Sequence, residues 1–546
     1  MEPFRVLVLA LFVSMALVTV PLMAAAGPTS IAHGEDVLDG TSPALEDDEN
    51  ETTTAAAENP DDEPSTETTV GYVEGVWYYD DLPIDEEDEA VVGASDFEAI
   101  VYRSMARVEV LRDLTFQEDV PVDVISREQF QAARDGADDE DVVEETERLQ
   151  EAIRYEALFM IDRETDVDDE FSTLLGDAVQ GFYSPVTNRV VIVSDSPSEP
   201  ELDEVTLAHE LLHALQDQHF DLQRFEPEIQ NQEHAKDGLV EGDAVWVENE
   251  YERRCDVEWS CVLPGDEPED DDGPDDPHWG LYLELFYPYS DGASFVDHLR
   301  EEGGWEAVNA AYDDPPRSSS EIIRPEEYAN RSVSEMTVED RSNDRWTELD
   351  VDDGPAYSEF GEATIAAMLA YPTLADDGNE SIIPGSELIN GDETNPLNYD
   401  HAYTDGWAGD RLIKYVTDER TIDESGYVWE TVWESEEDAA QFVDGYLQLL
   451  EIHDAGAIQD HENTFVIEDG FPGAYYLEHD GETVTIVRAP SVGELDEIRA
   501  GAAPEQFDSI LPDPGAETLG ELDWAIVLAG LFGALTLTLV LRRRFG

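Results

Sequence analysis

The stretch Val205–Gln218 constrains this chain more than any other. Between Val205 and Leu215 only Thr206, His209, Glu210 and His213 carry polar side chains. A helix that is apolar nearly all round is a buried helix. Residues four apart share a helix face, so His209 and His213 aim two imidazoles at one point. Glu210 is rotated by about 100° from His209 and reaches the same region without being a ligand itself. The spacing predicts a buried metal site, with Glu210 as the carboxylate that takes a proton from water.

Two imidazoles need a third protein ligand, and two residues compete for the place. His219 lies ten residues beyond His209. It turns toward the pair only if the helix breaks between them, and Gln216 stands where a glycine would break it. Glu241, in Leu239-Val240-Glu241-Gly242-Asp243-Ala244, follows on a second predicted helix. It would complete a two-His, one-Glu set with an open fourth position, and this is the favoured reading. Asp243 is a candidate for orienting a ligand histidine. The expected cofactor is Zn2+.

Elsewhere the pattern is mixed. Helices are predicted at 96–112, 127–135, 141–158, 293–312 and 356–371, with a strand from Val120 to Ile125. Gly181–Ser194 reads as a hairpin turning at Pro185–Asn188, directly ahead of the histidine helix. Later come a strand Val428–Trp433, a helix opened by Ser435 and running to about Leu450, and strands at 464–467, 474–479 and 483–488. Trp429 and Trp433 read as core residues. The Asp266–Asp276 loop resembles a calcium loop, but Pro268 breaks the spacing and it reads as a solvated acidic loop. His234 and His278 are lone histidines whose ordinary role is structural.

Charge decides the class of protein. The chain has 132 acidic and 28 basic residues, a net charge of -104, spread along its whole length. Such self-repulsion strains a compact state. At molar salt the Debye length falls to about 3 Å, which points to a salt-adapted protein. With 10 Trp, 21 Tyr and 19 Phe it is no disordered acidic tail. Nucleic-acid binding is excluded because no basic stripe exists outside the last few residues.

Both ends carry addresses. Residues 1–26 read as a signal peptide ending in Ala24-Ala25-Ala26. Trp524–Leu541 is uncharged and long enough to span a bilayer, and Arg542, Arg543 and Arg544 follow it. The expected location is therefore the cell membrane, single-pass, with the body outside. Outside the cell Cys255 and Cys261 are expected to form a local disulfide. Asn50, Asn330 and Asn379 head glycosylation sequons.

HELLHALQDQHF (His209–Phe220) followed by VEGDA (Val240–Ala244) resembles a family of prokaryotic gluzincin-like metallopeptidases. It is also similar to haloarchaeal surface proteins with the same signal, domain and anchor layout. Further echoes are Phe286-Tyr287-Pro288-Tyr289, Gly303-Gly304-Trp305, Ser320-Glu321-Ile322-Ile323-Arg324-Pro325 and Gly406-Trp407-Ala408-Gly409-Asp410-Arg411. Where that family commonly has His before the proline of the Ser-Glu stretch, Arg324 stands here. The resemblance implies zinc on His209, His213 and Glu241, and an edge strand bordering the substrate cleft. It implies cleavage of a peptide or protein substrate at the cell surface. Two other readings stay open: an envelope protein keeping the fold without turnover, and a zinc hydrolase of a non-peptide amide or ester. His401, Tyr403 and Arg411, near the Gly-Trp stretch, are candidates for stabilising an oxyanion.

The expected fold class is α+β: a zincin-like region of hairpin, active-site helix and ligand helix, a C-terminal β-containing portion, and a single C-terminal transmembrane helix. The expected divisions are signal peptide 1–26, disordered Thr-rich acidic stalk 27–71, zinc domain 72–350, α+β portion 351–500, linker 501–522, transmembrane helix 523–541 and cytoplasmic tail 542–546.

Overall fold

The computed structural model describes residues 64–505, apart from 87–89, 141–144, 177–178, 256, 265–276, 329, 331–332, 335, 352–353, 376–380 and 391–394. The signal peptide, most of the stalk, the span at 523–541, the tail, Asn50, Asn379 and the acidic loop lie outside the described residues. Asn330 is described and exposed.

A short hairpin, β1 (Tyr72–Val73) and β2 (Val76–Trp77), leads into α1 (Ala94–Arg112). Part of the expected stalk is tied down here, since the Gly71 N–H donates to Glu109 Oε2 at 2.8 Å. Then follow β3 (Val122–Ile125), α2 (Arg127–Glu140), α3 (Glu145–Ala157) and α4 (Val167–Gly176). β4 (Gly181–Ser184) and β5 (Arg189–Val193) form the hairpin read from the sequence, with Asn188 at φ 48° in its turn. β3 adds to β5 in parallel, giving the order β3-β5-β4 with β4 at an edge.

Three long helices build the centre: α5 (Glu204–Phe220), α6 (Gln230–Cys255) and α7 (Trp279–Gly303). Asp203 caps α5, accepting from the N–H groups of Val205 and Thr206. Thirteen of the 17 residues of α5 are buried, as its apolar composition requires. Glu204, its first residue, is fully buried and receives Arg103 Nη2 at 2.8 Å, Arg107 Nη1 at 2.7 Å and Tyr251 OH at 2.6 Å. One carboxylate thus ties α5 to α1 and to the end of α6. A disulfide joins Cys255 to Cys261 beside this cluster.

α6 and α7 touch backbone to backbone. A Cβ on Gly242 would sit 2.2 Å from the carbonyl carbon and oxygen of Gly292, and one on Gly292 would sit 2.4 Å from Gly238 O. Only glycine permits that approach. α8 (Trp305–Asp313) and α9 (Ser319–Ile323) follow. The helix expected over 293–312 is therefore two helices, because Gly304 at φ 67° ends the first.

The C-terminal part is an antiparallel sheet packed on helices. Its elements are β6 (Thr347–Glu348), β7 (Tyr357–Ser358), α10 (Gly361–Ala375), α11 (Gly385–Leu388), β8 (Trp407–Val416), β9 (Ser425–Trp433), α12 (Glu436–Ile452), β10 (Gly456–Ala457), β11 (Thr464–Ile467), β12 (Gly473–Asp480), β13 (Thr483–Ala489) and α13 (Val492–Ile498). The strand order is β10-β11-β12-β13-β9-β8-β6, with β7 also pairing β8. The helix expected from 356 begins at Gly361 because Tyr357 and Ser358 pair with β8. Asp410, fully enclosed on β8, accepts from the N–H groups of Phe360 and Gly361 and from the indoles of Trp407 and Trp429. It fastens the start of α10 to two strands. Trp429 and Trp433 are core residues.

One apolar cluster runs from Tyr287 and Leu299 through Leu369 to Trp429 and Leu449, so the helices and the sheet share a core. The described residues up to Ile458 and from Asn463 to Ala503 form one compact unit; Gln459–Glu462 belongs to a second, where His461 bridges Glu505.

The fold is α+β, and the expected class needs one correction. No helix among the described residues is long and apolar enough to cross a membrane. The most apolar, α10, has 15 residues, short of the roughly 20 that a bilayer requires. The longer α6 and α7 carry charges along their length.

Two outcomes follow from this packing. Gly242→Ala will push α7 off α6 and lower the unfolding free energy by about 1–3 kcal/mol or more, read by denaturant titration in high salt. Lys414, fully buried between Gln150 Oε1 and Ser358 Oγ, has its ammonium pKa lowered by burial from 10.5 to about 7. A lowered basic group favours folding above its unfolded pKa, and that support is lost as pH falls through 7. Stability relative to Lys414→Met will therefore rise between pH 7 and 10.5, by on the order of 5 kcal/mol if the shift is fully expressed.

Candidate metal centre

His209 and His213 sit one turn apart on α5, both fully buried. Glu241 comes from α6 and is 1% exposed. Its Oε2 lies 3.4 Å from His209 Nε2 and 3.4 Å from His213 Nε2, and the three ligand atoms fall within 4.8 Å of one another. Atoms held about 2.0–2.1 Å from a tetrahedral metal stand roughly 3.3–3.4 Å apart. The two His–Glu separations match that edge length.

The hydrogen bonding supports the same reading. His209 Nε2, His213 Nε2 and both Glu241 carboxylate oxygens are buried and form no hydrogen bond. Leaving such groups unmatched costs about 1–3 kcal/mol each, and more where they are charged. One cation in their midst would satisfy them together.

The far sides of both rings are held. His209 Nδ1 is 2.8 Å from Glu248 Oε2. His213 Nδ1 is 2.9 Å from Gln216 Oε1, while Gln216 Nε2 donates to Val240 O at 2.9 Å. With Nδ1–H donated outward, each Nε2 lone pair faces the centre. The Tyr289 ring stacks on His209 at 6.4 Å between centroids.

Electrostatics follow from burial and proximity. Burial raises the Glu241 carboxyl, but His213 and His209 outweigh it and hold it down at about 2. Burial lowers the His209 ring, yet Glu241 and Glu248 carry it well above its usual value. His213 is raised against burial mainly by Glu241. Glu210 is raised chiefly by burial, with Glu241 and Glu248 adding to it and both histidines opposing.

Glu210 is fully buried, and both its oxygens lack a hydrogen-bond partner. Its Cγ would lie 3.4 Å from a Cβ at Gly181, so the edge strand β4 runs against it. A cleft of about 160 Å³ opens on Glu241 and is also lined by Tyr289, His234 and Asp237.

Other residues singled out from the sequence lie elsewhere. His219 continues the unbroken α5 and directs Nε2 to Thr115 O at 2.8 Å, away from the pair. Asp243 orients no histidine. Two residues is about 200° of helix rotation, and Asp243 instead binds Arg112 Nε at 2.9 Å and Tyr312 OH at 2.9 Å. The side chain of His401 meets Glu387 at 3.2 Å, the Tyr403 hydroxyl accepts from Gln448, and Arg411 covers the Tyr357 ring. Those contacts belong to the C-terminal part, not to the triad. Arg324 binds Glu362 and Asp400, and His278 caps α7.

Glu248, Gln216 and Tyr289 were missed as site residues. Glu248 had a readable signal, standing seven residues after Glu241 and hence on the same helix face.

A family model described as a domain of unknown function, DUF8575, matches residues 347–499. The match takes in the sheet from β6 to α13 and leaves the triad outside. No curated protein and no solved structure matches the chain.

Removing His209, His213 or Glu241 by alanine substitution will abolish tight binding of a divalent metal. Glu248→Gln will weaken it by about 10–100-fold. Competition with a chromogenic chelator on the folded protein measures both effects.

Proposed function

We propose that this chain is a zinc-dependent hydrolase acting on peptide bonds. The observation that carries the reading is a buried two-His, one-Glu cluster with a second carboxylate, Glu210, beside it and free of hydrogen bonds. His209, His213 and Glu241 would hold the ion, and their donor set suits zinc. Zinc in such a three-ligand site supplies Lewis acidity at its open position.

The chain's own residues do the rest. Glu210 takes a proton from the attacking water at a carboxylate oxygen and delivers it to the departing amine nitrogen. Its burial suits it to hold that proton between the two steps. Glu248 and Gln216 keep the imidazoles in the tautomer that leaves Nε2 free. Strand β4, an edge strand beside Glu210, offers backbone groups to an extended peptide, which fixes the scissile bond near the carboxylate. Burial of α5 keeps bulk water from the site.

The test is Glu210→Gln. The variant will bind zinc as the parent does, measured by elemental analysis, and will cleave a peptide library in high salt about 10²–10⁴-fold more slowly. Equal turnover by parent and variant, or none by the parent across the library, overturns the reading.

A further inference from the structure

Strand β4 meets α5 at two places. Gly181 is buried against Glu210: a Cβ there would stand 3.4 Å from Glu210 Cγ and 3.2 Å from Ile192 Cδ1. Two residues on, and so on the same face of the strand, the Tyr183 hydroxyl donates to Asp217 Oδ2 at 2.7 Å and lies 3.0 Å from Asn188 Oδ1. Phe182, between them, packs with Phe130 and Val193 in a separate small cluster. On α5, Asp217 follows Glu210 by seven residues, two turns along one face. β4 therefore lies along the row of α5 that carries Glu210, and the Tyr183–Asp217 bond is a polar fastening between them.

The fastening is held on both sides. Asp217 Oδ1 accepts from the Leu222 N–H at 2.8 Å, so each oxygen of the carboxylate has a fixed donor. Tyr183 is 3% exposed and belongs to the apolar cluster of Val190, Ile192, Leu207 and Leu211. A hydroxyl that donates to a carboxylate makes one of the stronger hydrogen bonds a protein can form. Gln223, just beyond α5, adds a tie at the hairpin tip by donating Nε2 to Pro185 O at 2.9 Å.

Glu210 is the member of this row without such support. It is fully buried, and neither oxygen has a hydrogen-bond partner. Its rotamer is therefore set by packing, and β4 supplies the wall. Gly181 does not have a positive φ, so its backbone makes no demand for glycine. What the missing side chain provides is room beside Glu210.

We infer that Tyr183 and Asp217 are positioning residues for Glu210: their bond holds β4 at the depth that keeps this carboxylate enclosed beside the two histidines. The inference rests on the hydrolase reading above. Both residues act through Gly181 and the strand, not on the reacting atoms.

Tyr183→Phe and Asp217→Ala each delete the bond, whereas Asp217→Asn keeps an acceptor oxygen for the hydroxyl. The zinc-loaded proteins are compared in high salt for peptide cleavage and for carbodiimide labelling of Glu210, located by mass spectrometry. In the first two variants kcat falls about 10- to 100-fold while KM and bound zinc stay at the parental values. Asp217→Asn restores most of the loss. Tyr183→Phe combined with Asp217→Ala is no worse than either alone, because each removes the same bond. Glu210 labels roughly tenfold faster in both bond-deleting variants, since the strand above it opens more often. Unchanged kcat, a loss confined to KM, or a loss that tracks loss of zinc overturns the inference and leaves the hydrolase reading standing. If the parent cleaves no peptide, that reading fails and labelling decides the clamp alone. Faster labelling in Tyr183→Phe and Asp217→Ala, returned to the parental rate in Asp217→Asn, sustains it, and equal rates refute it.

Discussion

Burial of His209, His213, Glu210 and Glu241 without hydrogen bonds at their inward atoms is the constraint around which the helical part is organised. Groups of this kind tend to swing toward water or toward any partner within reach. They stay in place because the helices bearing them cannot move independently. Glu204 locks the start of α5 to α1 and α6 through two arginines and a tyrosine. Asp243, on the side of α6 away from Glu241, ties α6 to α1 through Arg112 and to α8 through Tyr312. The glycine contact between α6 and α7 sets the depth at which Glu241 and Tyr289 enter. Packing of this kind holds the Glu241 carboxylate 3.4 Å from both imidazole Nε2 atoms.

The same network explains where the scarce basic residues go. The chain has 28 of them against 132 acids, yet α1 alone buries Arg103, Arg107 and Arg112. Each is matched to a carboxylate inside the protein instead of offsetting the acidic surface. Breaking such a buried pair leaves an uncompensated charge, which costs far more than losing a surface pair. On this helix, basic residues serve the interior of the fold.

Much of the centre was legible. A helix apolar on all sides with two histidines four apart has few other uses, and the hairpin ahead of it was marked by Pro185–Asn188. Glu241 on a neighbouring helix was the favoured third residue, and its carboxylate does lie beside both imidazoles. Legibility failed where the evidence is non-local. Asp243 looked like an orienting group because it is near Glu241 in sequence, but its partner Arg112 lies 131 residues away. Gln216, read only as the residue that fails to break the helix, turns out to brace His213 against the Val240 carbonyl. Strand β8 was missed because Trp407–Val416 is buried on both faces near Asp410 and shows no simple alternation.

Local sequence by itself determined the pair of imidazoles, the neighbouring carboxylate and the burial of their helix, since helix periodicity and apolar composition act within a few residues. Tertiary structure alone decided which groups hold the rings and which carboxylates face the cleft. Those choices depend on how α6 and α7 cross. That crossing is set by steric contact between Gly242 and Gly292, residues 50 apart in a chain whose local pattern carries no record of their meeting.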